Sequence, residues 1–127
     1  MRLHHVQVAC PRGGEDEARR FWVDGLGMTE VDKPPALGGR GGCWFRSYDA
    51  AGEVAAELHV GVEEPFAPAR KAHPALVVED LALVSARLSA AGFEVDDSQR
   101  DSLPGFQRFH TFDAHGNRVE VLAVTDW

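Results

Sequence analysis

Glu57-Leu58-His59-Val60-Gly61-Val62 and Lys71-Ala72-His73-Pro74-Ala75-Leu76-Val77-Val78 each read as a β-strand with one oily face and one face of metal-ligand type. Side chains alternate across a strand. Leu58, Val60 and Val62 therefore share one face, and Glu57 and His59 the other. In the second stretch Leu76 and Val78 are oily, with His73, Ala75 and Val77 opposite. Near the start, Val6 and Val8 alternate with His5 and Gln7. Near the end, Val119, Val121 and Ala123 alternate with Arg118, Glu120 and Leu122. Four strands thus offer His5, Glu57, His73 and Glu120 to the side away from any helix. Two imidazoles and two carboxylates converging on one cavity make a divalent-metal constellation.

Reading outward, Leu3 to Ala9 forms a first strand, stopped by Pro11, Gly13 and Gly14. A helix follows from about Asp16 to Leu26, since Ala18, Phe21, Trp22 and Leu26 recur at three- and four-residue spacing. Glu15, Asp16 and Glu17 sit where the helix dipole favours acids, and Gly27 is placed to cap the far end. Short strands are expected at Met28 to Val31 and Cys43 to Ser47, around a Pro/Gly-rich loop, and a longer one at Val54 to Val62. Glu63 to Ala72, with Pro65 and Pro68, has no periodicity and reads as a connector. The order then recurs: strand His73 to Val78, helix from Asp80 to Ala91, Gly92, then strands at Phe93 to Asp96, Phe106 to Phe112 and Arg118 to Val124. The fold class is α+β, a duplicated βαβββ unit in residues 1–62 and 73–127 joined by 63–72, forming incomplete barrels. Duplication pairs His5 with His73 and Glu57 with Glu120.

At 127 residues the chain is one compact unit or two small halves sharing a core. A net charge of −7 argues against a nucleic-acid surface. Cys10 and Cys43 have no paired spacing and read as free thiols in a reducing compartment. No apolar run approaches membrane-spanning length and no signal core opens the chain. The expected setting is cytoplasmic, with no membrane or nucleic-acid partner.

The motifs Leu3-His4-His5-Val6, Ala18-Arg19-Arg20-Phe21-Trp22 with Gly25-Leu26-Gly27-Met28, Ala72-His73-Pro74-Ala75-Leu76-Val77-Val78, Asp80-Leu81 with Ala91-Gly92-Phe93, and Asp113-Ala114-His115-Gly116-Asn117-Arg118-Val119-Glu120 resemble the vicinal oxygen chelate superfamily. That group includes glyoxalase I, fosfomycin- and bleomycin-resistance proteins and extradiol dioxygenases. The resemblance implies His5, His73 and Glu120 as shared metal ligands, and Glu57 as the extra carboxylate of the glyoxalase type. Asp113-Ala114 replaces the usual Asp-Pro. Ala9 and Gly61 stand where a glutathione-dependent glyoxalase would carry arginine and asparagine, which argues against glutathione. The resemblance further implies a homodimer whose clefts take ligands from both chains.

Each residue also has a plainer reading. Glu120 could be satisfied by Arg108 or Arg118 instead of a metal, and His59 competes with Glu57 as fourth ligand. Trp44 and Phe45 alternate, so one of them lines the pocket. If Phe109 and Thr111 face the helices, then Arg108 and His110 join Glu120 in the cavity as anion clamp and acid/base group. The reverse parity would put Phe109 there. His4 is expected opposite His5, and His115 in solvent. The leading functional expectation is a lyase or isomerase that uses Ni, Co, Zn or Fe to stabilise an enediolate of a small oxygenated substrate. Fe(II) ring cleavage and metal-free drug or metabolite binding are the alternatives.

Overall fold

The computed structural model describes residues 1–125; residues 126 and 127, the end of the second module, lie outside the described residues. The first module comprises β1 (Val6–Cys10), α1 (Glu15–Arg19) continuing as a π-helical turn (Arg20–Gly25), β2 (Thr29–Val31), β3 (Cys43–Tyr48) and β4 (Val54–Val62). The second comprises β5 (Ala75–Val77), α2 (Leu81–Ala90), β6 (Val95–Asp96), β7 (Phe106–Phe112) and β8 (Arg118–Val124). Each module makes one four-stranded mixed sheet, in the orders β1-β4-β3-β2 and β5-β8-β7-β6, and neither closes into a barrel. In both, the first strand lies parallel to the last, which the intervening helix makes possible.

The two helices bury the sheets' oily faces in one shared core. Phe21, Trp22, Phe45, Leu58, Leu88, Val119 and Val121 are fully buried there. Leu88 packs where Gly25 leaves no room for a Cβ, at 2.8 Å. Phe21 meets Phe93 edge-on at 5.0 Å, and Arg20 and Arg87 donate to the Ala91 and Asp24 carbonyls across the pair. Helix ends follow the sequence. The Asp80 side chain accepts the Leu83 amide, a cap worth about 1 kcal/mol. Gly27 and Gly92 take φ of +77° and +89° just past their helices, where a side chain would be strained.

Three expectations shift. A strand from Leu3 and one from His73 begin instead at Val6 and Ala75, so His5 and His73 stand just before their strands. Pro74 has no N–H to give a ladder, although its carbonyl accepts the Glu120 amide at 3.0 Å. The glycine-rich loop holds a 3-10 helix, Pro35–Arg40. His115 is not in solvent: its Nε2 donates to the Gly14 carbonyl at 2.8 Å, which ties the two modules together.

Asn117 makes a second tie between them. Its Nδ2 donates to Ala9 O on β1 and to Asp113 Oδ2, and its Oδ1 accepts from Ala69 N in the connector, all at 2.8–2.9 Å. The side chain is 1% exposed, so truncation strands three partners. Asn117→Ala should therefore cost about 2–3 kcal/mol in denaturant unfolding. A loss below about 0.5 kcal/mol would contradict this role.

Candidate metal centre

On β4, Leu58 and Val60 enter the core, so Glu57 and His59 face away from the helices. Antiparallel register sets Arg46 beside Glu57 and Trp44 beside His59. Arg46 Nε donates to Glu57 Oε1 at 2.7 Å, and His59 Nε2 meets Glu57 Oε2 at 2.7 Å. A carboxylate only accepts, so His59 carries its proton on Nε2. Trp44, and not the core residue Phe45, lines this face: its ring stacks on His59 at 3.8 Å and 3°. His5 stacks on His59 at 4.0 Å and 16°. Imidazole lone pairs lie in the ring plane, so rings this nearly parallel aim them side by side. They cannot converge on one ion at about 2.1 Å. In this arrangement His59 is a ledge under His5, while Glu57 offers a ligand atom within 4.8 Å of one on His5. His4, expected opposite, sits with its Nδ1 2.9 Å from His5 Nδ1.

The second module repeats this logic with different residues. Phe109 and Thr111 are buried, while Arg108 and His110 share Glu120's face. Glu120 Oε2 accepts from Arg108 Nη1 at 3.2 Å; Arg118 makes no such pair. Glu120 Oε1 lies 3.0 Å from His73 Nε2 and 3.5 Å from His110 Nε2. His73 Nδ1 is 2.7 Å from the Lys71 carbonyl, which can only accept. With Nδ1–H donating to that carbonyl, His73 turns its Nε2 toward the Glu120 carboxylate. That is the posture of a metal-binding histidine oriented by a backbone carbonyl. Two ligands about 2.1 Å from an ion and at right angles lie about 3.0 Å apart.

Arg108, the anion clamp of the sequence reading, is held by Glu120. It also donates to Gln99 O, Gln99 Oε1 and Ser102 Oγ, so it is occupied holding the loop between β6 and β7.

Both carboxylates are buried, which by itself raises their pKa. The hydrogen bonds outweigh that, from His59 and Arg46 on Glu57 and from His73 and Arg108 on Glu120, and hold both below the ordinary value. Burial depresses His59, and burial with the charge of Arg118 depresses His110, so both are neutral at pH 7. Burial pushes the Cys43 thiol up to about 12 and raises that of Cys10; both are free, buried and unreactive.

The four candidates come together in pairs. Ligand atoms of His4, His5 and Glu57 lie within 4.8 Å of one another, as do those of His73, His110 and Glu120. Among the described residues, His5, Glu57, His73 and Glu120 do not form one such group within a single chain. Glu57 lines a cleft of about 630 Å³ with Arg2, His4 and Arg46. His73 lines a different groove of about 620 Å³, along the free edge of β1 with Gln7 and Asn117. The duplication also differs in register. Two residues past His5, Gln7 pairs with His59; two past His73, Ala75 pairs with Glu120. Glu57 and Glu120 thus match in chain order but not in ladder position.

The family model for the Glyoxalase/Bleomycin resistance protein/Dioxygenase superfamily matches residues 2–121. The chain belongs to this superfamily. A crystal structure of a protein assigned to the glyoxalase family, from Bacillus anthracis, is 40% identical, with a TM-score of 0.84 over 98% of this chain and 100% of that one. The antibiotic-binding protein TnmS3 from Streptomyces sp. CB03234 is 22% identical, with a TM-score of 0.68 over 98% and 99%. The fosfomycin resistance protein FosX from Listeria monocytogenes is 13% identical, with a TM-score of 0.73 over 98% and 94%. These last two share the superfamily's fold. No curated protein matches the sequence. No helix among the described residues is long and apolar enough to cross a membrane.

Sequence reading missed Arg46 and the stacking role of His59. The signal was available, since Arg46 shares Trp44's parity on β3. The depressed histidines give a pH dependence with a definite sign. Between the ordinary imidazole value of 6.5 and their lower folded values, the unfolded chain binds protons that the native state does not. Stability should fall as pH drops from 7 toward 5, and His110→Gln should flatten that slope. An equal slope in the variant would contradict burial of a neutral His110.

Proposed function

We propose that this protein is a divalent-metal-dependent lyase or isomerase of the glyoxalase type, acting on a small oxygenated substrate. The metal would be held by His5 and Glu57 of one chain and His73 and Glu120 of a second copy. The observation that carries the reading is the His73 posture, with Nδ1 on a backbone carbonyl and Nε2 facing a carboxylate at 3.0 Å. The mixed imidazole and carboxylate set suits Ni, Co, Zn or Fe(II). Pairing of the candidates in separate clefts supports assembly across a dimer, because neither pair alone supplies four ligands.

The ion, when bound, supplies Lewis acidity toward a substrate bearing adjacent oxygens. The remaining work falls to the chain. Arg108 fixes Glu120 through one oxygen and leaves the other beside His73 and His110. Glu120 is placed to take a proton next to a carbonyl, with Glu57 as the matching carboxylate of the other pair. His110, neutral and 4% exposed, can receive that proton and return it to a neighbouring carbon or oxygen. Trp44 and His59 keep the His5 ring in place.

A second reading has its own support. Glu57 and Glu120 are already satisfied by arginine and histidine without an ion, as a metal-free drug- or metabolite-binding protein would require. Metal analysis and calorimetry separate the two. The purified protein should hold about one Ni, Co or Zn ion per chain, and Glu120→Gln and Glu57→Gln should each weaken binding by at least about tenfold. Wild-type protein that binds no ion would leave the binding-protein reading, and oxygen-labile iron would indicate a dioxygenase.

A further inference from the structure

We infer that Gln99 and Ser102, in the loop between β6 and β7, are positioning residues for Glu120. They act through Arg108, so that cation binding at Glu120 and order in the loop strengthen each other. The inference rests on the metal reading above and deepens it. One guanidinium serves both ends. Arg108 Nη1 donates to Glu120 Oε2 at 3.2 Å, while Nη2 donates to Ser102 Oγ at 2.7 Å and to Gln99 Oε1 at 3.1 Å. Nε reaches the Gln99 carbonyl at 3.4 Å. A guanidinium is a rigid plane, so fixing Nε and Nη2 fixes where Nη1 points. Nη1 in turn holds Oε2, and that leaves Oε1 3.0 Å from His73 Nε2. The loop thus sets the direction of the donor oxygen without touching it.

Hydrogen bonds, and not burial, give this loop its shape. Residues 97–105 are exposed except for the half-buried Leu103. Ser102 donates through its amide at 3.2 Å and its hydroxyl at 2.8 Å to the Gln99 carbonyl, which closes the turn that Arg108 grips. A separate chain of bonds, from Arg100 to Gln107 and from Gln107 to Asp101, does not reach Glu120. Segments held in this way open at low free energy, so one added restraint changes their population. The first module lacks such a link: Arg46 holds Glu57, but among the described residues no hydrogen bond joins it to the loop before β3. Coupling is reciprocal, so whatever factor the loop adds to ion affinity, the ion adds to loop order.

Calorimetry and amide hydrogen exchange on the full chain read the two ends separately, with whichever of Ni, Co and Zn binds wild type most tightly. Gln99→Ala/Ser102→Ala should weaken the ion about tenfold. Ser102→Thr, which keeps the hydroxyl, should bind it like wild type. In an Arg108→Met background the two alanine changes should cost nothing further, since the connection is already cut. The ion should slow exchange at the Ser102 amide in wild type and not in Arg108→Met. A loop with a purely structural role would weaken the ion equally in both backgrounds, and that result overturns the inference. So does a Gln99→Ala/Ser102→Ala protein that binds the ion as tightly as wild type, or an ion that leaves Ser102 exchange unchanged. Wild-type protein that binds none of the three ions would instead remove the metal reading, and this inference with it.

Discussion

A carboxylate on the half-covered face of a sheet has to be satisfied, and this protein solves that problem twice. Glu57 and Glu120 are each less than a tenth exposed. Each gives one oxygen to an arginine on the neighbouring antiparallel strand and keeps the other beside imidazoles. Leaving either charge buried without a partner would cost several kcal/mol. The arginine pair therefore fixes where the second oxygen points. The candidate chemistry follows from that orientation.

The fold supplies the rest through strand order. A parallel first strand beside the last brings the chain's early histidine to the later carboxylate, in β1 against β4 and in β5 against β8. The copies have diverged in how they use that adjacency. In the first, an aromatic stack of Trp44, His59 and His5 positions the imidazole. In the second, a backbone carbonyl at Lys71 does so, and His110 occupies the β7 place that Arg46 holds on β3. Asn117 and His115 then hold the modules together from the turn before β8.

The sequence made the fold legible because its periodicities are local. Alternation in Val119-Glu120-Val121 and spacing in Ala18, Phe21 and Trp22 report on one element each, and capping at Asp80 and Gly92 marks an end. The family motifs fixed how the elements repeat. Side-chain partners were less legible. Alternation shows that Arg46 and Glu57 each face outward, but only cross-strand register makes them neighbours. The parity of β7 was undecidable from Phe109 and His110 alone, and was decided by which ring the helix layer could bury. Arg108 read as a partner for Glu120 or an anion clamp, and its further partners, Gln99 and Ser102, were not legible because they lie in a loop without periodicity. Convergence of four ligands is a tertiary, and on this account quaternary, property that no strand pattern encodes.

The central claim is that the two pairs complete each other between chains. Two variants test it, His5→Ala/Glu57→Gln and His73→Ala/Glu120→Gln, each lacking one pair. Alone, neither should bind a stoichiometric divalent ion. After mixing and subunit exchange, calorimetric titration of the heterodimer should recover one ion per dimer, because one of its two sites unites intact pairs. Mixed dimers that form but recover no binding would contradict the account.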